Sequence, residues 1–456
     1  MKPLINLFKK APLRSVPVGS DPSHRVHADF PKARLEHPPS GASTLYEISA
    51  NAFKNYATEK CMGTREFLGM HSVKPPVKHF GDVSWLTYEQ VGRNALKFGA
   101  SLRAAGLVAA PEVATLDAIT TPCSLGVFEN TCAEWMIAAQ GAFSQSVVVT
   151  TIYATLGMDA VVDAVKDGVI RAIVCNITSV DKLVKNLKNM PSLKYIIYTR
   201  DAVAKDEKIS IPTAPSGVTI ISFDDFVANG DTERYPPTPP TPKSMAVLMY
   251  TSGSTGKPKG VVITHAQVVA AISAGMYTLG IRHGDVYLGY LPLAHILELM
   301  AEFCCLGTGC TICYADPKTL TTKGAYPIGA LEQYSPTIMA GVPKIWDVIK
   351  KGIEAKVAAS KPIARFLVHT AFQARTFAIN HGFDTPLFKK LVFKKFAKVA
   401  GGQLRLALSG GGPLNNEVQV FVRTCFGCPL FQGYVSLYLF VLVAFQFFHH
   451  SHMFYL

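Results

Sequence analysis

Apolar runs of strand type alternate with helical patterns along most of this 456-residue chain. One set of runs precedes residue 200 and a second follows residue 285, and both sets are rich in Val, Ile, Leu, Thr and Tyr. Such alternation predicts βαβ units, and therefore an α/β fold with two α/β subdomains and mainly parallel sheets. A Pro-rich spacer, residues 236–242, separates the two sets. The predicted strands are residues 125–128, 147–150, 170–175, 195–198, 286–291, 311–314, 337–341 and 404–408.

Two helices can be placed from local signals. Thr87 followed by Gln90 has the pattern of a capping box, which opens a helix. Residues 266–275 are helical in composition and follow a strand-like run at residues 245–250. The chain between these two runs therefore forms a loop that follows a strand and precedes a helix, where phosphate-binding loops are found.

The loop carries the most distinctive chemistry of the sequence. Residues 250–260 are Tyr-Thr-Ser-Gly-Ser-Thr-Gly-Lys-Pro-Lys-Gly. Glycine lets backbone N–H groups approach anionic oxygens, hydroxyl side chains donate further hydrogen bonds, and Lys257 and Lys259 supply positive charge. The loop is not a Walker A motif, because its glycines are too closely spaced and Pro258 occupies the position of the magnesium-binding hydroxyl. The composition predicts a polyphosphate-binding loop; the alternative is a flexible Ser/Gly linker.

This loop resembles the signature of the adenylate-forming superfamily, which includes acyl-CoA synthetases, luciferases and the adenylation domains of peptide synthetases. Four further blocks resemble the eukaryotic long-chain fatty-acyl-CoA synthetases; they are residues 151–157, 291–302, 339–344 and 406–414. The resemblance implies ATP-dependent activation of a long-chain fatty acid through an acyl-adenylate to acyl-CoA. It also implies ATP, Mg²⁺ and coenzyme A as the cofactors and co-substrates.

The resemblance assigns roles to residues of this chain. The loop would hold the phosphates of ATP, the glycine-rich turn would present its backbone to adenine, and Tyr434 would stack on the base. His295 would line the junction between the acyl pocket and the reacting carboxylate, although a lone histidine at the start of an apolar helix is usually structural. The fatty acyl tail would lie in an apolar tunnel beside residues 291–301. The implied phosphate-binding residues are Thr251, Ser252, Gly253, Ser254, Thr255, Gly256, Lys257 and Lys259. The implied adenine-side residues are Gly411, Gly412, Pro413, Gln432, Gly433 and Tyr434.

Composition narrows the class of partner. Lys and Arg outnumber Asp and Glu by 45 to 32, which gives a formal net charge of +13 and a pI near 9.2. This charge suits a nucleotide, coenzyme A or an anionic membrane surface. Nucleic acid is not favoured, because the sequence shows no zinc-finger spacing, RNP-like segment or basic zipper. Without a secretory h-region, the chain is predicted to be intracellular, membrane-associated or cytoplasmic, with reduced cysteines.

Two clusters of metal-ligating residue types are weak alternatives. Cys305, Cys310 and Cys313 have the spacing of a plant-type ferredoxin cluster, but the apolar sequence around them favours small buried hydrophobes. The His-rich segment 449–452 has nothing around it that fixes a coordination geometry. The sequence therefore predicts no metal site in either cluster.

A basic amphipathic segment lies at residues 388–398, Phe-Lys-Lys-Leu-Val-Phe-Lys-Lys-Phe-Ala-Lys. One interpretation is a helix that contacts a membrane surface. The other, more common for such a pattern, is a solvated helix that packs its apolar side on the core. The residues predicted to form the apolar face are Leu391, Val392, Phe393, Phe396 and Ala397.

The resemblance stops after Tyr434. In the family the Gln-Gly-Tyr block continues with Gly and a Thr-Glu pair whose carboxylate holds magnesium, and a mobile C-terminal domain with a catalytic Lys follows. Residues 435–456 instead contain no Asp, Glu, Lys, Arg, Gly or Pro. The apolar run is also shorter than the ~20 residues that span a bilayer as a helix.

The sequence is interpreted as three regions: a basic Pro-rich arm at residues 1–40, an incomplete AMP-binding domain at 41–434 and an unrelated apolar tail at 435–456. On this interpretation the chain is the large N-terminal part of a long-chain fatty acid:CoA ligase. It is C-terminally truncated, catalytically impaired and without its mobile C-terminal domain. The alternative is a non-catalytic nucleotide- or acyl-binding protein held at a membrane by its tail.

Overall fold

Two large sheets contain most of the strands. The structure is a computed structural model that describes residues 15–18, 21–27, 36–108, 124–251, 259–381, 383, 385–436 and 442–446. Within these residues one sheet has seven strands and the other nine, and a small hairpin lies near the N-terminus. In chain order the strands are β1 (Ser15–Val18), β2 (Asp21–His27), β3 (Lys60–His71), β4 (Val77–Thr87), β5 (Ser124–Phe128), β6 (Val148–Thr151), β7 (Ala172–Asn176), β8 (Tyr195–Thr199), β9 (Thr219–Ser222), β10 (Met245–Thr251), β11 (Lys259–Thr264), β12 (Val286–Gly289), β13 (Thr311–Tyr314), β14 (Ala325–Tyr326), β15 (Ile338–Gly341), β16 (Leu406–Ser409), β17 (Leu430–Ser436) and β18 (Leu442–Gln446).

Parallel pairing dominates both sheets, which confirms the predicted α/β class. The first sheet has the order β11-β10-β6-β5-β7-β8-β9, and only the β10–β11 pair in it is antiparallel. The second has the order β14-β4-β3-β13-β12-β15-β16-β17-β18, with antiparallel pairs at β3–β4 and β17–β18. The carboxyl ends of the central strands in each sheet therefore point to one edge, where ligands of such sheets bind.

Helices connect the strands and cover the sheets. In chain order they are α1 (Leu45–Asn55), α2 (Tyr88–Ala104), α3 (Ala133–Ser144), α4 (Met158–Asp167), α5 (Val180–Asn186), α6 (Phe223–Ala228), α7 (His265–Leu279), α8 (Ile296–Thr308), α9 (Ala330–Tyr334), α10 (Pro343–Ala358), α11 (Pro362–Asn380), α12 (Pro386–Phe388), α13 (Lys394–Ala397) and α14 (Asn416–Phe426). A π-helical turn, Lys389–Phe393, joins α12 to α13.

One buried helix links the two sheets. Almost every residue of α3 is buried, Trp135 completely, and the helix contacts β6 of the first sheet and β3 of the second. A helix that is apolar on all sides is stable only when it is surrounded by protein. This helix therefore places the two sheets around one shared core.

The predicted capping box is confirmed at the start of α2. The Thr87 hydroxyl accepts the Gln90 N–H at 3.2 Å, and the Gln90 side chain accepts the Thr87 N–H at 2.8 Å. These two bonds satisfy backbone donors that have no partner within the helix.

The basic segment is helical, but its predicted apolar face is partly wrong. Phe393 is buried at 1% exposure and packs with Val392 and Phe396, whereas Leu391 is 67% exposed. The physical reason is helical periodicity, because residues two apart lie on roughly opposite sides of a helix. Leu391 therefore points away from the surface that Phe393 covers.

The apolar tail contributes a strand to the second sheet. β18 pairs antiparallel with β17, and Gln432 lies opposite Gln446. The rest of the tail, with the His-rich segment 449–452, lies outside the described residues. Among the helices of the described chain, none is both long and apolar enough to span a bilayer.

Candidate functional site

The predicted phosphate loop lies at the open end of a hairpin. β10 and β11 pair antiparallel, and Thr251 faces Lys259 across the pair. The strand predicted before the loop is confirmed, but the loop does not lead directly into a helix. The β-branched sequence Val-Val-Ile-Thr at 261–264 forms β11 first, and α7 follows it. The loop itself lies outside the described residues, namely Ser252, Gly253, Ser254, Thr255, Gly256, Lys257 and Pro258.

A short segment after β12, residues 290–295, is fixed by contacts from both sheets. The Thr131 hydroxyl, just after β5, donates to the Leu291 carbonyl at 2.5 Å and accepts the Leu293 N–H at 2.9 Å. From the second sheet, the Tyr290 hydroxyl donates to the Ala340 carbonyl at 2.6 Å. These bonds draw the chain out of the sheet, which explains why β12 ends before the predicted residue 291.

The same segment lies close to the start of the phosphate loop. The Thr151 hydroxyl at the end of β6 donates to the Ala294 carbonyl at 3.3 Å. Thr151 is also the register partner of Met249 in β10, two residues before Thr251. The hairpin end and the residue before His295 therefore meet at one edge of the first sheet.

His295 is the N-cap of α8. Its Nδ1 accepts the Leu297 N–H at 3.1 Å, and its ring is half-buried. Burial lowers the pKa of the imidazole, which favours the neutral form. Because Nδ1 is the acceptor, the neutral ring carries its proton on Nε2, which is left as a donor. The histidine thus caps the helix and also presents a hydrogen-bond donor.

The glycine-rich turn lies beside α8. Gly410 follows β16, and its N–H donates to the Gly341 carbonyl at 3.1 Å. A Cβ at Gly410 would lie 2.7 Å from Leu297 Cδ2, so the first turn of α8 approaches more closely than a side chain would allow. Gly411 has a φ of 77°, in the left-handed region that favours glycine.

The glycine-rich turn also lies next to the block at residues 432–434, which was predicted to contact adenine. Gln432 of β17 is the register partner of Ser409, and the Gly433 carbonyl oxygen would lie 3.5 Å from a Cβ at Gly410. The structure therefore brings His295, Gly411, Gly412, Pro413, Gln432 and Gly433 to one edge of the second sheet. The backbone of Tyr434 continues along β17, and its side chain lies outside the described residues.

A polar cavity of about 340 Å³ opens on one side of the 290–295 segment. Tyr290, Pro292 and Ala294 form part of its wall, and the rest combines charged residues from both sheets with aromatic rings such as Phe67 and Phe80. Lys78 forms an ion pair with Asp316 at 2.8 Å in this lining. The charged lining residues are Arg65, Lys78, Glu129, Asp201, Asp316 and Lys318.

Two carboxyl groups in this cavity hold protons more tightly than usual. Burial, followed by repulsion from Asp201, raises the pKa of Glu129 to about 8. Loss of solvation, followed by repulsion from Glu134, raises the pKa of Asp201 to about 7. The Glu129 carboxyl accepts the Asn130 N–H at 2.7 Å and the Thr199 hydroxyl. This part of the cavity is therefore weakly charged near neutral pH.

A narrow apolar cavity of about 30 Å³ lies against α8, and Leu297, two residues after His295, is part of its wall. Its walls are Leu297, Met300, Ala301 and Cys304 of α8, Gly275 of α7, and residues from the ends of β15, β16 and β17. This volume equals about the share of one water molecule in liquid water. A longer apolar ligand would enter only if side chains of α7 and α8 moved apart.

Two buried glutamates lie on the opposite face of α8. The Tyr287 hydroxyl donates to Glu298 at 2.7 Å, and the Tyr314 hydroxyl donates to Glu302 at 2.8 Å. Burial raises the pKa of Glu298 to about 8 and that of Glu302 well above its usual range. Tyr287 lines the apolar cavity and Tyr314 the polar one, so each glutamate supports one cavity wall.

The predicted cysteine alternative has little support in the structure. Cys304 donates its thiol to the Ile272 carbonyl at 3.4 Å, and Cys310 to the Arg282 carbonyl at 3.4 Å. Burial raises the pKa of the Cys305 thiol well above its usual range. In the part of the chain that the structure describes, no three His, Cys, Asp or Glu side chains come together as a metal site.

Sequence reasoning missed Thr131 and Tyr290, which fix the segment before His295, and Lys78, which lines the polar cavity. None of these three residues belongs to a recognisable motif. Their hydrogen-bond or ion-pair partners lie tens to hundreds of positions away in the chain. The only available signal was that Thr131 follows a predicted strand at its carboxyl end, where functional residues of parallel sheets collect.

The sequence profile of the AMP-binding enzyme family matches residues 70–435, which is most of the chain and includes all the residues predicted from sequence for this site. The chain belongs to the AMP-binding enzyme family. Among its relatives, long chain acyl-CoA synthetase 8 of Arabidopsis thaliana is 32% identical over 453 residues, with 94% of this chain and 61% of the relative covered. Long-chain-fatty-acid–CoA ligase 2 of Schizosaccharomyces pombe is also 32% identical, with 88% and 59% covered. This AMP-binding chain therefore spans about three fifths of the length of these relatives.

Solved structures show the same fold at low sequence identity. The adenylation domain of a carboxylate reductase from Mycobacterium chelonae superposes with a TM-score of 0.64 at 16% identity, covering 88% of this chain and 59% of that one. The anthranilate CoA ligase AuaEII, in complex with anthranoyl-AMP, has a TM-score of 0.60 at 15% identity, with 88% and 60% covered. At this identity the likeness establishes the fold of this family member.

Proposed function

We propose that this chain supplies the nucleotide-binding and acyl-binding sites of a long-chain fatty acid:CoA ligase. One observation carries the proposal: within residues 290–297 the chain passes from the wall of a polar cavity, at Tyr290, Pro292 and Ala294, to the wall of an apolar cavity, at Leu297. A reaction that joins an apolar acyl chain to a polar thiol carrier needs an apolar and a polar channel, both of which reach the acyl carbonyl carbon. The relatives named as long-chain acyl-CoA synthetases support this substrate class.

The first step would join the fatty acid to AMP. A carboxylate oxygen attacks the α-phosphorus of ATP, and pyrophosphate leaves. Both reactants are anions, so the site must supply hydrogen-bond donors and positive charge. The proposed donors to the phosphates are Thr251, Ser252, Ser254, Thr255, Lys257 and Lys259, and Gly253 and Gly256 allow the backbone to close on them. The Nε2–H of His295 would donate to the reacting carboxylate or to the phosphate oxygen beside it.

Adenine would lie on the glycine-rich turn. The backbone of Gly411, Gly412 and Pro413 is next to Gln432 and Gly433 at the edge of the second sheet, and Tyr434 would stack on the base. An open, flat backbone surface suits an aromatic base, since it offers N–H and C=O groups without side chains in the way. The acyl chain would extend from His295 along Leu297 and Met300 into the apolar cavity.

The second step would use the polar cavity. The sulfur of coenzyme A attacks the acyl carbonyl carbon, the bond from that carbon to the AMP oxygen breaks, and AMP leaves. The thiol arm contains amide groups, which need polar partners when they leave water. The cavity beside Pro292 and Ala294 offers hydroxyl, carboxyl and ammonium groups, whereas the cavity beneath α8 offers almost none.

Magnesium has no matching residue at this edge of the described chain. Glu298 is the nearest carboxyl group along the sequence to His295, and it is fully buried and bound to Tyr287. Residues 435–456 contribute no Asp or Glu. No residue of this chain is therefore assigned to Mg²⁺, and a nucleotide-binding form with weak or absent turnover is the second candidate function.

Calorimetric titration with a non-hydrolysable long-chain acyl-adenylate analogue tests the proposal without requiring turnover. Lys259→Ala should weaken binding by about tenfold, because a charged contact to phosphate contributes roughly 1.5–3 kcal/mol. Lys243→Ala is the matched control, since Lys243 is an exposed lysine that precedes β10 at its other end. Equal affinities of both variants and the unmodified chain would remove the hairpin loop from the nucleotide site.

A further inference from the structure

Helix α11 has apolar residues on two opposite faces. On one face Ala371 is buried at 2% exposure and packs with Phe372 and the neighbouring helices. The other face carries long apolar side chains that stand in solvent. At 3.6 residues per turn these side chains fall within an arc of about 100°. They are Ile363, Phe366, Leu367 and Phe377, with exposures of 77%, 70%, 57% and 65%.

The α12–α13 region extends this exposed surface. Leu387 and Leu391 are one turn apart, and each is 67% exposed. The segment is fixed to α11 because the guanidinium of Arg375 lies 4.8 Å from the centre of the Phe393 ring, in a shared buried cluster. Exposed apolar side chains on two helices that pack together are more than scattered surface hydrophobes. We call the exposed side of α11 and of residues 386–398 the basic apolar face.

The charge of this region is strongly one-sided. Residues 361–400 contain eight Lys or Arg and one Asp. Lys389, Lys390, Lys394, Lys395 and Lys398 are all exposed, and none forms an ion pair with a described residue. A second copy of the chain would bring the same lysines together across a twofold axis, which like charges oppose. The partner of this face must therefore be anionic.

The exposed side chains also indicate what kind of anion binds. Nucleic acid would pair with the lysines but would leave the Ile and Leu side chains in water, because bases stack on rings rather than on branched aliphatic groups. An anionic bilayer satisfies both features, with lipid phosphates for the lysines and acyl chains for the apolar groups. We propose that the basic apolar face docks this protein on an anionic phospholipid surface. This proposal is independent of the proposed function, since lipid docking requires neither ATP nor turnover.

The test is co-sedimentation of the full 456-residue chain with vesicles of phosphatidylcholine alone and of phosphatidylcholine mixed with phosphatidylserine. The unmodified chain should bind the mixed vesicles more tightly, and added salt should weaken that binding. Replacing Lys389, Lys390, Lys394 and Lys395 by Gln should reduce binding about 600-fold, since each lysine near an anionic surface contributes about fivefold. Phe366→Ser with Leu367→Ser should reduce it by at least about tenfold, because both side chains would lose their contact with lipid.

Matched controls separate this face from the rest of the molecule. Changing Lys182, Lys188, Lys208 and Lys323 to Gln removes the same charge from exposed sites elsewhere, and Ile211→Ser removes an apolar side chain that is 40% exposed. These controls should change vesicle binding by less than about twofold, because distant charges are screened. The arm at residues 1–40 and the tail at 435–456 are present in every variant, so neither can produce the difference.

A fluorescence measurement identifies the inserted side chain. In Phe366→Trp, mixed vesicles should shift the indole emission to shorter wavelength, and brominated lipid should quench it. Equal vesicle binding by the variants of the basic apolar face and by the control variants would overturn the proposal. So would a dimer, seen by light scattering, that Phe366→Ser dissociates. Tight binding to RNA without binding to mixed vesicles would also overturn it.

Discussion

The two cavities beside His295 differ in size and in chemistry. The polar cavity, about 340 Å³, is lined in part by charged groups of both sheets, whereas the apolar cavity, about 30 Å³, has room for about one water molecule. Polar walls can stay open because water fills them, but an empty apolar cavity loses packing contacts. The difference indicates that the thiol side of the proposed reaction is preformed and that the acyl side opens only when a chain enters.

The largest expected effect comes from filling each cavity in turn. Ala301 lines the apolar cavity, so Ala301→Trp should weaken binding of a long-chain acyl-adenylate analogue by about 100-fold and leave an acetyl analogue nearly unaffected. Ala294 lines the polar cavity, so Ala294→Trp should spare both analogues and weaken coenzyme A instead. Calorimetric titrations of the three ligands against both variants measure this, and a long-chain loss with Ala294→Trp would reverse the assignment of the two cavities.

The cavity linings lead to a different prediction from the one that the sequence resemblance implies. Residues 291–301 are one apolar segment in the sequence, and the resemblance implies that the acyl chain lies beside all of it. The structure divides it, because the turn at His295 sends Pro292 and Ala294 to one cavity and Leu297, Met300 and Ala301 to the other. No periodicity could show this, since the division follows from where two sheets meet.

The next largest effect is expected at the close contact between Gly410 and Leu297, beside the apolar cavity. Gly410→Ala should lower the free energy of unfolding by about 1 kcal/mol, because its Cβ would lie 2.7 Å from Leu297 Cδ2 and the Leu297 side chain would have to turn away. Gly412→Ala is the matched variant, with 3.8 Å to Pro343 Cγ, and should cost less than about 0.5 kcal/mol. Urea unfolding of both variants tests the pair. Equal costs at the two positions would show that α8 does not constrain the turn.

The buried glutamates predict how stability depends on pH. Glu298 has a pKa near 8 when folded against an ordinary 4.5, so its contribution to stability is full below the lower value and is lost as the pH rises to the higher one. Within this window the slope should reach about 1.4 kcal/mol per pH unit for such a group. Glu298→Gln should flatten the fall of melting temperature between these pH values, and Glu89→Gln, at an exposed position, should not. If Glu298→Gln leaves the dependence of the melting temperature on pH unchanged, water reaches the Glu298 side of α8.

The smallest effect separates the two roles of His295. His295→Ala should cost about 1 kcal/mol of stability because α8 loses its cap, whereas His295→Asn should keep the cap. Both should weaken the acyl-adenylate analogue by about fivefold, which corresponds to one hydrogen bond. Thermal unfolding and calorimetry together measure the two roles. Full ligand affinity in His295→Asn would leave the histidine with a capping role alone.

Much of the fold was predictable from local pattern, and much of the site was not. The parallel strands and the α2 capping box depend on neighbouring residues, so sequence showed them. The β3–β4 hairpin was missed, because β4 has no regular alternation of buried and exposed positions. Thr131 was missed because its contacts with Leu291 and Leu293 are made across about 160 residues of chain. The glycine-rich turn was predicted, but its cause, the close approach of Leu297, is visible only in three dimensions.

The most direct test of the central claim is a crystal structure of this chain with a long-chain acyl-adenylate analogue. The account predicts adenine on the backbone of Gly411 and Gly412, the acyl carbonyl beside His295, and the acyl chain between α7 and α8 in an enlarged cavity past Leu297 and Met300. The polar cavity should remain open to solvent. An acyl chain in the polar cavity, against Lys78 and Glu129, would contradict the account.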